Sequence, residues 1–173
     1  MRCAGAGVLR RPPLSDSIRE ALRWVHGKNI RVAFTEQETE YIRARSLGRL
    51  ATVGEDEQPD VVPVAVEYDG TFLWIGGNGS QVLRTRKFRN VRNGHHNVAL
   101  VVDDMVSLEP FIARGIRVYG YAEQPFERDG LIGPGTYIRI TPIVSWSWNL
   151  DGEPAGDVWY PTKRTNHRVS VDD

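Results

Sequence analysis

One cysteine in 173 residues, Cys3, leaves nothing to pair with in an internal disulfide, and no Cys/His spacing suggests a structural metal. That fits a reducing compartment, and a cytoplasmic location is expected. An excess of charge of one sign is also lacking. The 22 basic residues balance 22 acidic ones, so net charge argues for neither a nucleic-acid nor a membrane partner, and any anion site must arise from local clustering. No apolar run approaches the roughly 20 residues that a membrane-spanning helix needs. The stretch over residues 4–9 contains two glycines and is interrupted at Arg10, short of the about 7–15 apolar residues of a secretory core, so no signal peptide is expected. A phosphate-binding Gly-x-x-x-x-Gly-Lys-Ser/Thr loop is absent, and Gly77-x-Gly79 lacks the third glycine of the dinucleotide fingerprint. No nucleophile has an evident base and orienting partner in sequence.

What remains is an ordinary soluble composition, 40% apolar and 25% charged, in a chain of one-domain size. Residues 1–14 are rich in Gly, Arg and Pro and read as a mobile terminus. A short helix is expected next, capped by Ser15 or Asp16, with Ile18, Ala21, Leu22 and Val25 on one face and Gly27 as its stop. A second helix begins at Thr35, where Thr35 and Glu38 form a capping box, and Gly48 is expected just past its end.

From Arg49 the period becomes that of strands. Strands are expected over residues 50–53, 61–68, 71–75, 97–103 and 116–121, then as a final pair over 137–140 and 144–148 parted by Pro142. Asp69-Gly70 signals a tight hairpin, and a helix from Ser80 to Val91 follows the glycine-rich turn. Beyond Leu150 the sequence is polar and loop-like. Many strands on short turns with few helices predict a mainly β fold, an antiparallel barrel rather than a βαβ fold.

The richest segment chemically is residues 80–92, with Arg84, Arg86, Lys87, Arg89 and Arg92 after a glycine-rich turn. A helix start with arginine forks suits phosphate oxygens, although charge alone equally fits a solvated helix face. Arg49 adds a cation at a strand start, and Thr52 a hydroxyl on the face of Leu50. In Val62-Pro63-Val64, Pro63 cannot donate to a ladder, which places this stretch at an edge or bulge. Its neighbours' backbone groups are then free for a flat ring, or the proline simply guards the edge. Trp146 and Trp148, two apart, share one face, as a cofactor wall, a subunit interface or core. His95 and His96 face opposite ways and read as turn residues. Asp103-Asp104 reads as a solvated strand end before a divalent-cation site.

The words in order resemble a known family. Phe34-Thr35-Glu36, Leu47-Gly48-Arg49-Leu50-Ala51-Thr52-Val53-Gly54, Pro59-Asp60-Val61-Val62-Pro63-Val64, Ile75-Gly76-Gly77, Lys87-Phe88-Arg89-Asn90-Val91, Val98-Ala99-Leu100-Val101-Val102-Asp103-Asp104, Arg114-Gly115-Ile116 and Ile143-Val144-Ser145-Trp146 are similar to the pyridoxamine 5′-phosphate oxidase-like class of F420-dependent enzymes. The branch resembled includes actinobacterial proteins and dehydrotetracycline reductases. The resemblance implies a six-stranded antiparallel split β-barrel over residues 34–150 with a few flanking helices. Residues 1–33 are then an extension and 151–173 a tail. It also implies a homodimer with a cofactor at each end of its interface.

By that resemblance, Thr85-Arg86-Lys87 matches the triplet that grips the flavin phosphate in relatives that bind flavin mononucleotide (FMN). Arg49 and Thr52 match the strand approaching phosphate and ring, and Val62, Pro63, Val64, Ile75 and Gly76 match backbone beside the ring. Trp146 and Trp148 would come from the partner subunit. The implied activity is hydride transfer between reduced coenzyme F420 and an unsaturated small-molecule substrate, with no metal. The alternatives are an FMN-dependent oxidase or reductase and a non-catalytic carrier of F420, flavin or haem. Tyr68 or Tyr121 is a proton-donor candidate by residue type alone. Members of this branch often begin with Met directly before Ala-Phe-Thr-Glu, which implies Val32 as the natural start here; the alternative is a true extension packed on the barrel.

Overall fold

The protein is described from a computed structural model covering residues 34–79 and 81–167. The expected helix over residues 15–25, the start at Val32, Cys3 and the Ser80 cap lie outside the described residues.

Helix α1 (Glu36–Arg43) begins as expected. Thr35 Oγ1 accepts from the Glu38 amide at 3.3 Å, and the Glu38 carboxylate accepts from the Thr35 amide at 2.9 Å, a reciprocal cap worth roughly 0.5–2 kcal/mol. The helix ends at Ala44, earlier than expected. Gly48 instead lies within strand β1 (Leu47–Val53), where a Cβ would meet Val66 Cγ2 at 2.8 Å. Its role is close strand packing rather than a helix stop.

Strands β2 (Pro59–Tyr68) and β3 (Leu73–Gly77) are joined by a four-residue turn, not a two-residue one. Asp69 accounts for the extra length: its carboxylate accepts from the Thr71 and Phe72 amides and from Trp74 Nε1. The expected helix over residues 80–91 is divided. A single 3₁₀ turn (Val82–Arg84) is followed by extended backbone at Thr85, ψ 148°, and then α2 (Arg86–Arg92). Strands β4 (Asn97–Leu108) and β5 (Phe111–Ala122) are twelve residues each, longer than expected because their far ends extend as a two-stranded arm.

The remaining strands are β6 (Phe126–Gly130), β7 (Gly133–Trp148) and β8 (Thr162–Asn166). The expected final pair is one sixteen-residue strand. Pro142 does not end it, because a bulge there leaves Ile143 unpaired between Gly120↔Pro142 and Tyr119↔Val144. Gly120 is required at this bulge: a Cβ would stand 2.9 Å from Thr141 O. The segment after Leu150, expected to be loop, contributes β8, which pairs with β7.

All pairings are antiparallel, and β3-β2-β1-β4-β5-β7 closes through β3–β7 into a six-stranded barrel, with β6 and β8 as additional strands. Alternation sends Leu50, Val64, Val66, Leu100, Val102, Ile116, Val118 and Ile138 inward, where Phe88 and Val91 of α2 and Ile42 of α1 join them. Among the described residues no helix is long and apolar enough to cross a membrane.

The base of the β4–β5 arm is tied to α1 by Asp104. Partial burial alone would raise its pKa, but hydrogen bonds from Arg45, Arg114 and Tyr41 outweigh that and hold it at about 2. A carboxylate depressed in the folded state contributes stability above its unfolded pKa, and that contribution is lost as pH falls through the folded value. Urea unfolding should therefore show stability declining as pH drops from about 4 towards 2. Asp104→Asn is expected to be less stable at neutral pH and to flatten that acid limb; an unchanged limb would remove Asp104 from the account.

Candidate functional site

The basic segment packs against the turn joining β1 to β2. Arg86 sends Nη2 to both carboxylate oxygens of Asp56, at 2.8 and 2.6 Å. Together with Gly54, Arg89 and Asn90 these two residues line a depression of about 240 Å³. Thr85 donates its hydroxyl to Val82 O at 2.7 Å, leaving the oxygen free to accept. Lys87 is half-buried and makes no ion pair with another described residue. Burial pushes its pKa below the ordinary lysine value, and the Asp60 carboxylate partly offsets that. Of the expected triplet, then, Lys87 is the cation without an ion pair among the described residues, its Nζ 5.7 Å from the Phe88 ring centroid, and Arg86 is held by Asp56.

The proline-broken strand is an edge. The β2–β3 pairing runs only from Tyr68↔Leu73 to Val66↔Ile75, so residues 59–65 are paired on the β1 side alone. The Val66 amide donates to Ser46 O, so the alternation of an antiparallel ladder turns the main-chain groups of Val61, Pro63 and Ala65 towards the open edge. The sequence expectation for Pro63 is met. Val64 is buried and Val62 packs on the core, so their side chains point inward. Ile75 is wholly buried, and Gly76 is held free of a side chain by the Tyr137 ring against it. What these positions present at the opening is backbone.

Thr52 is buried as well, its hydroxyl accepting from Asn90 Nδ2 at 2.9 Å. It ties β1 to α2. Arg49 lies on the opposite, outer face and pairs with Asp103. Trp146 and Trp148 share that outer face, since Ser145 and Ser147 between and before them are buried. Trp148 lies over Gly115, where a Cβ would clash with its ring.

The register organises the outer face into rows. One row, read from β2 across to β8, is Val61–Ala51–Ala99–Tyr119–Val144–Asn166. Most of it forms the floor of a groove of about 540 Å³ that Val53, Pro59, Asn97 and Arg164 complete. The groove reaches the β1–β2 turn at Val53 and Pro59, and the Arg86 depression is lined by Gly54, Glu55 and Asp56 of the turn itself.

Of these residues, sequence reading missed Tyr119, Arg164 and Asn166. Tyr119 was findable, because it alternates with Arg117 and Tyr121 in a segment expected to be strand. Arg164 and Asn166 sit on a strand with no apolar period and left no signal. Neither tyrosine singled out by type lines the groove: Tyr68 donates to Gly70 O, and Tyr121 stacks with His96. Burial raises the pKa of both. His95 and His96 occupy the turn before β4, as expected. Asp103 and Asp104 are neither a solvated end nor a cation site; arginines hold both.

The family described as pyridoxamine 5′-phosphate oxidase matches residues 34–131, more than half of the chain, and the chain belongs to that family. A 5a,11a-dehydrotetracycline/5a,11a-dehydrooxytetracycline reductase from Streptomyces rimosus is 36% identical over 129 residues, 69% of this chain and 86% of that protein. Among solved structures, an F420 reductase is similar with a TM-score of 0.51 at 21% identity, covering 65% of this chain and 98% of that one. A conserved hypothetical protein from Mycobacterium tuberculosis is similar at 0.52 and 19%, covering 77% and 97%. At these identities the structures speak for the fold, a six-stranded split barrel.

Proposed function

We propose that this chain is an F420-dependent oxidoreductase that reduces an unsaturated organic substrate, working as a homodimer with the cofactor at the interface. The observation that carries the reading is the placement of a half-buried lysine, without an ion pair among the described residues, beside an open strand edge and an apolar groove, all at one end of the β1–β2 hairpin. Those residues fit a flat, phosphorylated group. Lys87 would hold the phosphate, joined by the Thr85 hydroxyl if it turns from Val82 O to donate to a phosphate oxygen; Arg86 and Arg89 would add positive potential around it. The edge of β2 at Val61, Pro63 and Ala65, and Gly76 across the opening, would offer main-chain groups to the ring. When bound, reduced F420 supplies the hydride, and the protein's part is to orient it and keep water out. The name of the Streptomyces rimosus relative specifies reduction of a dehydro compound, and we carry that substrate class to this chain.

The dimer rests on the outer face. Leu47, Val61 and Met105 are 55%, 60% and 59% exposed on β1, β2 and β4, and Ala51, Pro63, Ala65, Ala99 and Val101 fill between them on neighbouring strands. Apolar surface of this kind marks an interface, here crossed by the Arg49–Asp103 ion pair, and a second copy seated there would roof the groove. Val61→Glu is expected to yield a monomer in sedimentation velocity; an unaltered dimer would exclude this face, and a monomeric native protein would exclude the dimer.

Cofactor choice is read by parallel titration of the cofactor-free protein with F420 and FMN. A preference for F420 of at least tenfold, about 1.4 kcal/mol, is expected. A preference for FMN would move the assignment to the flavin oxidase side of the family. Lys87→Ala should weaken F420 binding by roughly 1.5–3 kcal/mol, the range for hydrogen bonds to charged groups, and an unchanged affinity would remove Lys87 from the site.

A further inference from the structure

The row beside the groove floor is cationic. Read across the outer face it runs Pro63–Arg49–Val101–Arg117–Trp146–Arg164, each residue directly paired with the next. Arg49 has an acid, Asp103. The other two arginines have none among the described residues, and they flank a single indole: Arg117 Cζ is 4.3 Å and Arg164 Cζ 5.8 Å from the Trp146 ring centroid. The Tyr119 ring closes on Trp146 edge-on at 4.9 Å. Arg117 Nε is buried without a hydrogen-bond partner among the described residues. Among the described residues Arg164 is the only charged one lining the groove, and no carboxylate of theirs lines it.

Two guanidiniums around one indole repel each other, and the buried Arg117 Nε is left unanswered among the described residues. Cation–π contact offsets part of that cost, but it satisfies no donor. An anion on the outer face beside Trp146 would answer both charges, from Arg164 on the groove wall and from Arg117 across the indole, and the small-residue floor of Ala51 and Ala99 in the neighbouring row accepts a flat body. We propose that the β5–β7–β8 end of the groove is a recognition subsite for an anionic oxygen, a carboxylate or enolate, carried by a flat conjugated substrate of the reaction proposed above. Arg117 and Arg164 supply the two cations. Two of its features, Arg164 and Asn166, come from β8, which lies beyond the residues matched by the family. β8 pairs with β7 outside the six-stranded barrel and brings these two side chains to the subsite. The inference rests on the oxidoreductase reading only for calling the ligand the substrate.

The test uses the full chain without cofactor, titrated with 2-naphthoate and, separately, with its neutral counterpart 2-naphthamide, by tryptophan fluorescence and calorimetry. Naphthoate should bind at least fivefold more tightly than the amide. Arg117→Gln and Arg164→Gln should each reduce that preference, the double variant should abolish it, and Arg164→Lys should restore part of it. Affinity of the double variant for F420 should stay within twofold of the native value. Equal binding of acid and amide by the native chain, binding of neither, or a preference that survives in the double variant would overturn the subsite. A loss of F420 affinity in that variant would reassign the anion to the cofactor and overturn the substrate assignment. Should the native chain fail to bind F420 at all, the naphthoate preference would still stand or fall on its own.

Discussion

Everything in this barrel depends on one strand being paired along both edges. In its first half β7 lies between β3 and β6, and in its second half between β5 and β8. β7 leaves β6 at Tyr137 and β3 at Ile140, and takes up β5 from Ile140 and β8 from Val144, with Pro142 and the bulge at Ile143 inside that interval. The bulge bends the strand as it passes from one set of partners to the other, and without Gly120 the neighbouring strand could not approach it. Closure through β7 removes the free edges that make β-sheets prone to associate. Of the edges that remain among the described residues, the half of β2 that β3 does not reach is the one where Pro63 withholds a donor and Lys87 stands nearby. The opening is a consequence of how the barrel closes.

Closure also decides what the outer face can be. With the interior filled by Leu, Val and Ile, alternate residues of the same strands point outward, and antiparallel register lines them up across five or six strands at a time. A row of small and apolar residues therefore runs beside a row containing three arginines. A single-residue slip anywhere in the sheet would scramble both. The face is a surface for flat molecules because the register is fixed by the core beneath it. Ties such as Arg128 to Glu67, a fork with both bonds between 2.6 and 2.7 Å, keep the added strand β6 in place against β2.

Much of this was legible from residues. The Thr35–Glu38 box, the edge character of Pro63, the common face of Trp146 and Trp148, and the cationic segment after the glycine turn each followed from local chemistry. The misreadings share a cause. Pro142 was taken as a break because proline forfeits a ladder bond, and the bulge that tolerates it needs Gly120 from another strand. β6, with Glu127, Arg128 and Asp129, and β8, with Lys163 and Arg164, are additions at the rim with little to bury, so they carry no apolar period. The helix expected over residues 80–91 divides at Thr85 because its backbone turns extended, and no residue type there forbids a helix. Arg117 lay in an expected strand, yet its meaning as one of a pair depends on β8.

The central claim is that this chain carries out hydride transfer rather than merely holding a cofactor. It is tested by mixing the native protein with reduced F420 and a conjugated enone under anaerobic conditions and following the return of the oxidised deazaflavin absorbance. The account expects protein-dependent oxidation of F420 matched one for one by saturation of the enone double bond. Tight binding of F420 with no oxidation beyond the protein-free rate for any enone or quinone acceptor would contradict it and make the protein a carrier.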